Sequence, residues 1–456
     1  MSKIQNIERV RLLLQNGPAK AAALLEALNI SQPTFSRLWS GVPDGVVLGA
    51  SKARQYALRR QVAGVDAPIP VFRVATNGLI MPIGHLDVLQ GGFYAMTPLT
   101  GTRYELHQGM PFFVSDLRPQ GFLGRLEPAK HRDLELPADI LTWTDEQVLK
   151  YIARRSDNAA GDLILGNDSY ARYLASLATQ EAAVLTEQER MQRYPQMADD
   201  AMQGDAPGSS AGGEQPKFTA AVRRAHTPRR VEPVIVKFSP RTGTAAGRRW
   251  GDLLVCEHLA LQTLLRNGIA AATSSILDYE GRVFLEVVRV DRVGLTGRRP
   301  MATFSALDGD LGMMDRNWTA VAHELGRLGV LPQDDVITVE LLDLFGALIG
   351  NTDKHHGNIA VRWTLERQHR LLEAYDMLPM LYRPNAHGEI VERAWKPDYL
   401  GNVALRHLSR CHGMALEFWH DVLQDTRISA DFKTVANNHL RAIQPLATAN
   451  SRYTPR

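Results

Sequence analysis

The segment LIGNTDKHHGN, residues 348–358, decides the reading of this chain, together with AYD at 374–376. It places Asp353 five residues before Asn358, and Asp376 follows eighteen residues further on. A phosphoryl transferase needs one carboxylate to orient a hydroxyl nucleophile and accept its proton. It also needs an Asn and an Asp as oxygen ligands that hold Mg²⁺ against nucleotide phosphates. Asp353 suits the base, and Asn358 and Asp376 suit the metal pair. The Asp-x-x-x-x-Asn spacing alone is a weak signal, because capping residues in a polar turn also produce it. The flanks strengthen it: an apolar helix over 341–349 leads in, and an apolar strand over 370–374 leads to Asp376. His355 and His356 have no Cys or further His close in sequence, so orienting or surface roles suit them better than metal ligation.

Upstream, VIVKF at 234–238 is an apolar strand with Lys237 inside it. A lysine in such a run needs an acidic partner. Glu257, on the helix that follows, is one candidate and Asp252 another. SSAGGEQPK at 209–217 precedes that strand. Gly212 and Gly213 let backbone N–H groups approach phosphates. No G-x-x-x-x-G-K-[ST] occurs, so this is not a Walker A loop. The order is phosphate loop, strand lysine, acidic helix, hairpin, Asp/Asn loop and final Asp. That order is far more specific than any one part.

The chain has 456 residues, enough for two or three domains. Apolar residues make up 45% and charged residues 22%, with no apolar run of membrane-spanning length and no signal-peptide core. Two cysteines, Cys256 and Cys411, exclude a disulfide framework and a cysteine-rich metal site. A cytoplasmic protein without membrane attachment is expected. Residues 1–62 carry nine Lys/Arg and three acids, a net of +6, against a formal +3 for the whole chain. Such an excess at one end is an electrostatic footprint for duplex DNA, although a solvated basic face would look the same. Helices are predicted over 4–15, with Ile4, Ile7, Val10, Leu13 and Leu14 on one face, over 19–28, and over 32–40. Two short strands with a basic tip follow. This is the pattern of a winged helix-turn-helix. Phe35, Leu38 and Trp39 face inward, and Ser36 and Arg37 face out to read bases. Lys52 and Arg54 on the wing would contact phosphates. Strands are expected over 70–75, 78–86 and 104–107, a loop over 113–121, and helices over 144–155 and 169–179. Residues 195–216 are rich in Gly, Ser, Pro and Asp, as a linker would be.

The pieces SSAGGEQPKF, VIVKFSP, VVRVDRV, LIGNTDKHHGN and LEAYDMLP resemble the HipA-type serine/threonine kinases. So do FFVSDLRPQGFLGRL and AAGDLILG further upstream, and the likeness covers roughly residues 63–456. With a winged helix in front, it is most similar to the YjjJ branch. The resemblance implies an α+β chain. Residues 1–62 are a winged helix-turn-helix, 63–206 a HipA-type N-terminal subdomain, and 207–456 a two-lobed kinase core. That core has a small α/β lobe and a larger helical lobe. It implies ATP and Mg²⁺, with Asp353 as base, Asn358 and Asp376 on the metal, and Lys237 on the ATP phosphates. Glu257, Gly212, Gly213 and Lys217 belong to the same site, and Val288 and Val290 lie where hinge backbone meets adenine. Ser210 matches the loop serine that autophosphorylates and so disables ATP binding. A protein substrate is implied, by analogy an aminoacyl-tRNA synthetase, and an antitoxin partner. The chain departs from the family at 302–308, where ATFSALD replaces a His-x-Glu-Asp-like segment. The alternative is a DNA-binding transcriptional regulator whose kinase-like lobes only sense nucleotide.

Overall fold

A computed structural model describes residues 3–50, 54–99, 104–203, 215–225, 230–363, 368–401 and 403–446. Contacts divide the chain into two units, residues 1–119 with 130–179 and residues 120–129 with 180–456.

The first unit begins with α1 (Lys3–Leu14), β1 (Ala19–Lys20), α2 (Ala21–Leu28), α3 (Gln32–Trp39), β2 (Gly45–Leu48) and β3 (Gln55–Leu58). The strands form an antiparallel sheet in the order β1-β3-β2. Val10 and Leu14 are fully buried, with Ile7 packed beside them, but Ile4 and Leu13 are exposed. Leu13 is about 100° round the helix from Leu14, so one face cannot bury both completely. α2 starts later than its composition suggests because Ala19 and Lys20 pair with Tyr56 and Gln55. Tyr56 sits edge-on to Phe35 and Trp39, with centroids 4.9 and 4.8 Å away.

A second antiparallel sheet follows: β4 (Ile69–Val74), β5 (Ile80–Val88), β6 (Phe93–Pro98), β7 (Glu105–Gln108) and β8 (Leu163–Leu165), in the order β7-β6-β5-β4-β8. β6 is not among the strands expected from sequence. It forms because Gly91 and Gly92, at φ +74° and +77°, turn the chain back on β5. Val46, Leu48 and Ala57 share a buried cluster with Leu89 and Ala95, and Arg59 Nε lies 2.7 Å from buried Asp87. The first 62 residues therefore share a core with this sheet. The expected loop over 113–121 is partly helical: α4 (Phe112–Ser115) opens it, and α5 (Gly121–Arg125) and α6 (Glu127–Lys130) follow. α7 (Asp145–Arg155) starts with a capping box between Thr144 and Gln147, and α8 (Asn167–Leu177) comes after β8.

The second unit builds a sheet from β9 (Val184–Thr186), β10 (Lys217–Arg223), β11 (Val231–Phe238), β12 (Ser274–Tyr279) and β13 (Arg282–Val288), in the order β12-β13-β11-β10-β9. β9 runs parallel to β10 and leads into α9 (Glu187–Gln203). Residues 180–203, assigned from sequence to the preceding subdomain, thus belong to this sheet and its covering helix. Nor are residues 195–203 linker. They continue α9 through Pro195, because Tyr194 and Ala198 bury one helix face against Phe218, Val236 and Phe284. These two fully buried anchors, with Met197 and Ala201 partly buried against the same cluster, are spread through a polar segment, which hides the helical period. α10 (Ala245–Arg266) follows β11, and Glu280 and Gly281, both at positive φ, close the β12–β13 hairpin.

Two short strands, β14 (Arg292–Val293) and β15 (Gly297–Arg298), connect to a mainly helical region. It contains β16 (Ala302–Thr303), α11 (Phe304–Leu307), α12 (Trp318–Arg327), α13 (Gln333–Ile349), β17 (Ala360–Arg362), β18 (Arg370–Leu371), α14 (Leu408–Gln424) and α15 (Ala430–Ile443). α13 is buried all round from Val339 to Ile349, as suits a helix apolar on every face. The strand expected over 370–374 shortens to β18, and Ala374 instead makes a parallel bridge to Ala271. No helix among the described residues is long and apolar enough to cross a membrane.

Candidate active site

Gly350, at φ +83°, ends α13 and turns the chain into the 351–358 loop. His439 of α15 holds this junction. Its Nε2–H donates to the Leu348 carbonyl at 2.8 Å, and its Nδ1 accepts from the Tyr382 hydroxyl at 2.7 Å. Burial pushes His439 down to about 3, so the ring stays neutral.

The loop is then fixed from several sides. Asn351 Oδ1 accepts the Asp353 N–H at 3.0 Å, while its Nδ2 donates to the Asp376 carbonyl at 3.4 Å. One side chain thus ties the backbones of both predicted acids. Asn358 Nδ2 donates to the Asp353 carbonyl at 2.9 Å, and the Tyr375 hydroxyl donates to the Gly357 carbonyl at 3.0 Å. Lys354 reaches away to buried Asp343, with Nζ 2.6 Å from Oδ1. Trp318 Nε1–H donates to the His355 carbonyl. His356 is buried and donates through Nε2 to the Arg316 carbonyl, and His355 Nδ1 accepts the Gly357 N–H.

Lys237 on β11 is buried among acids. Its Nζ lies 2.7 Å from both Glu257 oxygens and is also bonded to Asp376. Asp252, the other candidate partner, instead accepts from the N–H and hydroxyl of Ser429, the N-cap of α15. Burial opposes charge on Lys237, but Asp376 and Glu257 outweigh it and raise its pKa. Burial likewise opposes charge on Asp376, but Lys237 and then Lys217 outweigh it and hold the carboxyl down to about 2. Burial pushes Glu257 up, against the pull of Lys237. Lys217 is the register partner of Lys237 on the neighbouring strand, which explains its part in this field. Asp376 takes the left-handed backbone, at φ +58°.

Lys237, Glu257 and Asp376 are therefore in direct contact, and Asn351 links Asp376 to Asp353. Val288 ends β13, and its N–H donates to the Thr273 carbonyl at 2.8 Å, so a hinge bond from that amide would have to replace this one. Val290 is half-buried in the turn that follows. Ser210, Gly212 and Gly213 lie outside the described residues, as does Lys52. Ser36 and Arg37 are exposed on α3, where Arg37 Nε–H donates to the Pro33 carbonyl, and Arg54 is exposed before β3. The structure adds one residue to the site that sequence reasoning missed, Asn351. Asn351 lay inside the deciding motif but had no spacing rule to single it out. Gln215, which follows the expected phosphate loop in sequence, is buried, and its side-chain nitrogen finds no partner among the described residues. An orphaned buried donor of this kind suits a bound anionic or hydrogen-bonding group. The Asn358 and Asp376 oxygens suit Mg²⁺, which typically takes only one or two protein ligands beside phosphate and water.

Residues 209–440 match the HipA-like C-terminal domain, and residues 65–174 match the middle domain of YjjJ-like toxins. The toxin YjjJ of Escherichia coli (strain K12) is 35% identical over 432 residues, covering 94% of this chain and 95% of its own length. This chain belongs to the HipA-like family, among its YjjJ-like toxins. Solved structures similar to this family member include HipA of Shewanella oneidensis MR-1 in complex with HipB and operator DNA. That match is 14% identical with a TM-score of 0.45, covering 84% of this chain and 97% of HipA. Another is CtkA, a proinflammatory kinase of Helicobacter pylori, 13% identical with a TM-score of 0.34, covering 52% of this chain and 91% of CtkA.

Proposed function

We propose that this chain is an ATP-dependent serine/threonine protein kinase with growth-inhibiting potential, whose first 62 residues form a winged helix-turn-helix that binds duplex DNA. The observation that supports the kinase reading most is the contact of Lys237 with both Glu257 and Asp376, joined through Asn351 to the Asp353 loop. Asp353 orients the acceptor hydroxyl and takes its proton. Lys237, held in place by Glu257, meets the nucleotide phosphates, and Lys217 borders the same site. Asn358 and Asp376 would hold Mg²⁺, which would neutralise charge on the phosphates of ATP, the donor of the transferred group. Ser210 is the expected autophosphorylation site: about −1.5 to −2 added charges in a loop that cradles phosphates would oppose ATP binding. Family membership makes a protein substrate and an antitoxin partner the natural expectations, with an aminoacyl-tRNA synthetase as the substrate by analogy.

The test is transfer from labelled ATP in cell extract, together with intact-mass analysis of the protein itself. Asp353→Ala should lose about 10²–10⁴ in rate while it keeps ATP binding. Transfer within threefold of wild type (roughly 0.6 kcal/mol,) would remove Asp353 from the role of base. Peptide mass spectrometry that finds no phosphate at Ser210 or Ser209 would remove the loop switch.

The exposed face of α3 favours a second reading, a DNA-binding regulator whose lobes sense nucleotide. Selective operator binding by a protein that binds ATP but transfers no phosphate would establish it.

A further inference from the structure

We propose that Asp398 and Tyr399 form a subsite for a cationic side chain of the protein substrate, so that the acceptor hydroxyl is chosen close to an arginine or lysine. This rests on the kinase reading and adds a substrate class to it.

The second unit has a cavity of about 610 Å³ whose lining includes Asn351, Asp353, Lys354 and His355 together with Asp398 and Tyr399. The base and the Asp398-Tyr399 pair therefore face one space, and a peptide whose hydroxyl reaches Asp353 brings its neighbours past Asp398. Charge in this space is one-sided. Lys354 is neutralised by Asp343, with Nζ 2.6 Å from Oδ1 and 2.8 Å from the carbonyl. What remains is two carboxylates, Asp353 and Asp398, and one imidazole. Among the described residues no lysine, arginine or histidine forms an ion pair with Asp398. The Tyr399 ring, 40% exposed, packs against no other aromatic ring among them. A carboxylate beside an open aromatic ring suits a guanidinium or ammonium group, through charge-assisted hydrogen bonds and cation–π attraction.

The pair is also preformed. Residues Pro397–Leu400 make a 3₁₀ turn that packs on α13, and the Tyr399 N–H donates to the Lys396 carbonyl at 3.0 Å. Buried Trp395 donates through Nε1 to the Ala347 carbonyl of α13 at 2.8 Å. The turn is thus pinned to the helix that carries the catalytic loop. Little ordering cost remains for a ligand, and the spacing to Asp353 is set by the scaffold.

The experiment uses the full-length protein, Mg²⁺ and a single-serine peptide of otherwise neutral residues, with one arginine walked through the flanking positions. Transfer is measured with ATP, and peptide binding by fluorescence anisotropy with a non-hydrolysable ATP analogue. At its best position the arginine should raise kcat/KM and affinity about tenfold over the arginine-free peptide (about 1.4 kcal/mol,). The transfer gain should appear mainly in KM. Asp398→Asn should bring the ratio close to unity, Asp398→Arg should invert it in favour of a peptide with glutamate there, and Tyr399→Leu should reduce it. Because each ratio compares two peptides on the same protein, a general loss of activity cancels. If wild type shows no preference at any position, or Asp398→Asn keeps it, the subsite is overturned. If the binding preference persists while neither peptides nor the protein itself are phosphorylated, the kinase reading fails and the cation subsite stands.

Discussion

Replacing Glu257 by Gln removes one negative charge from a largely buried triad. Glu257 is fully buried, and both its oxygens lie 2.7 Å from Lys237 Nζ. Breaking a buried pair by deleting one partner typically costs about 3–5 kcal/mol, because an uncompensated charge remains. Here Asp376 remains as a counter-ion and Gln keeps one acceptor oxygen. The expected loss is therefore nearer that of a charge-assisted hydrogen bond, about 1.5–3 kcal/mol. A second effect follows: Lys237 then has only Asp376, which must compete between the ammonium and Mg²⁺. Transfer should fall roughly 10–100-fold, the size expected when an outer partner of a metal site is lost. Urea unfolding followed by tryptophan fluorescence, alongside ATP titrations with and without Mg²⁺, reads both effects. The double variant Lys237→Met with Glu257→Leu should regain most of the stability and none of the activity. An unfolding free energy for Glu257→Gln within about 0.5 kcal/mol of wild type, with transfer unchanged, would refute the reasoning.

Asp376→Asn should destabilise the fold by about as much as Glu257→Gln, because Lys237 loses one of its two counter-ions, and should abolish the Mg²⁺ dependence of ATP affinity; equal Mg²⁺ enhancement in variant and wild type would contradict the metal role. Arg37→Ala should flatten discrimination between a selected duplex and random DNA, since a bidentate guanine contact is worth about 1–3 kcal/mol. Lys52→Ala should instead weaken both duplexes alike and lower the salt slope, read in full-length protein because the first 62 residues share a core with the next sheet. Acid should destabilise the second unit. Burial depresses His439 to about 3 and His258 to about 4, so unfolding takes up protons as pH falls below about 6.5. Their contribution is complete above that pH and is lost on descending toward 4 and 3, at up to about 1.4 kcal/mol per pH unit for each histidine. An unfolding midpoint that stays flat from neutral pH down through this window would contradict their burial as neutral rings.

The contact of Lys237 with Glu257 was legible because a lysine in an apolar strand restricts its neighbours. A lysine inside VIVKF demands a carboxylate, and Glu257 supplies it. What the sequence left open was which acid, because Asp252 and Glu257 both lie on α10; only packing sends Asp252 to Ser429. Strands β10 to β13 were legible from apolar runs and the Glu280-Gly281 turn. β6 was missed because Tyr94, Ala95 and Met96 are buried in succession and show no alternating period, and α9 because its apolar residues are spread through a polar segment. Asn351 escaped because its hydrogen bonds go to backbone atoms 2 and 25 residues away, and no side-chain pattern announces them. Ile4 and Leu13 show the opposite error, apolar residues assigned inward that face solvent.

The left-handed backbone of Asp376 bears on how this lineage can change. At φ +58°, most side chains crowd the following carbonyl, at roughly 1–2 kcal/mol, whereas Asp and Asn are at ease there. Exchange to Asn keeps the shape of the position and removes its charge. On the kinase reading proposed above, exchange to Asn would end phosphoryl transfer in one step without backbone strain at this position, while Lys237 keeps Glu257 as its remaining counter-ion. On that reading a transferring and a non-transferring descendant would differ by one substitution that the backbone accepts.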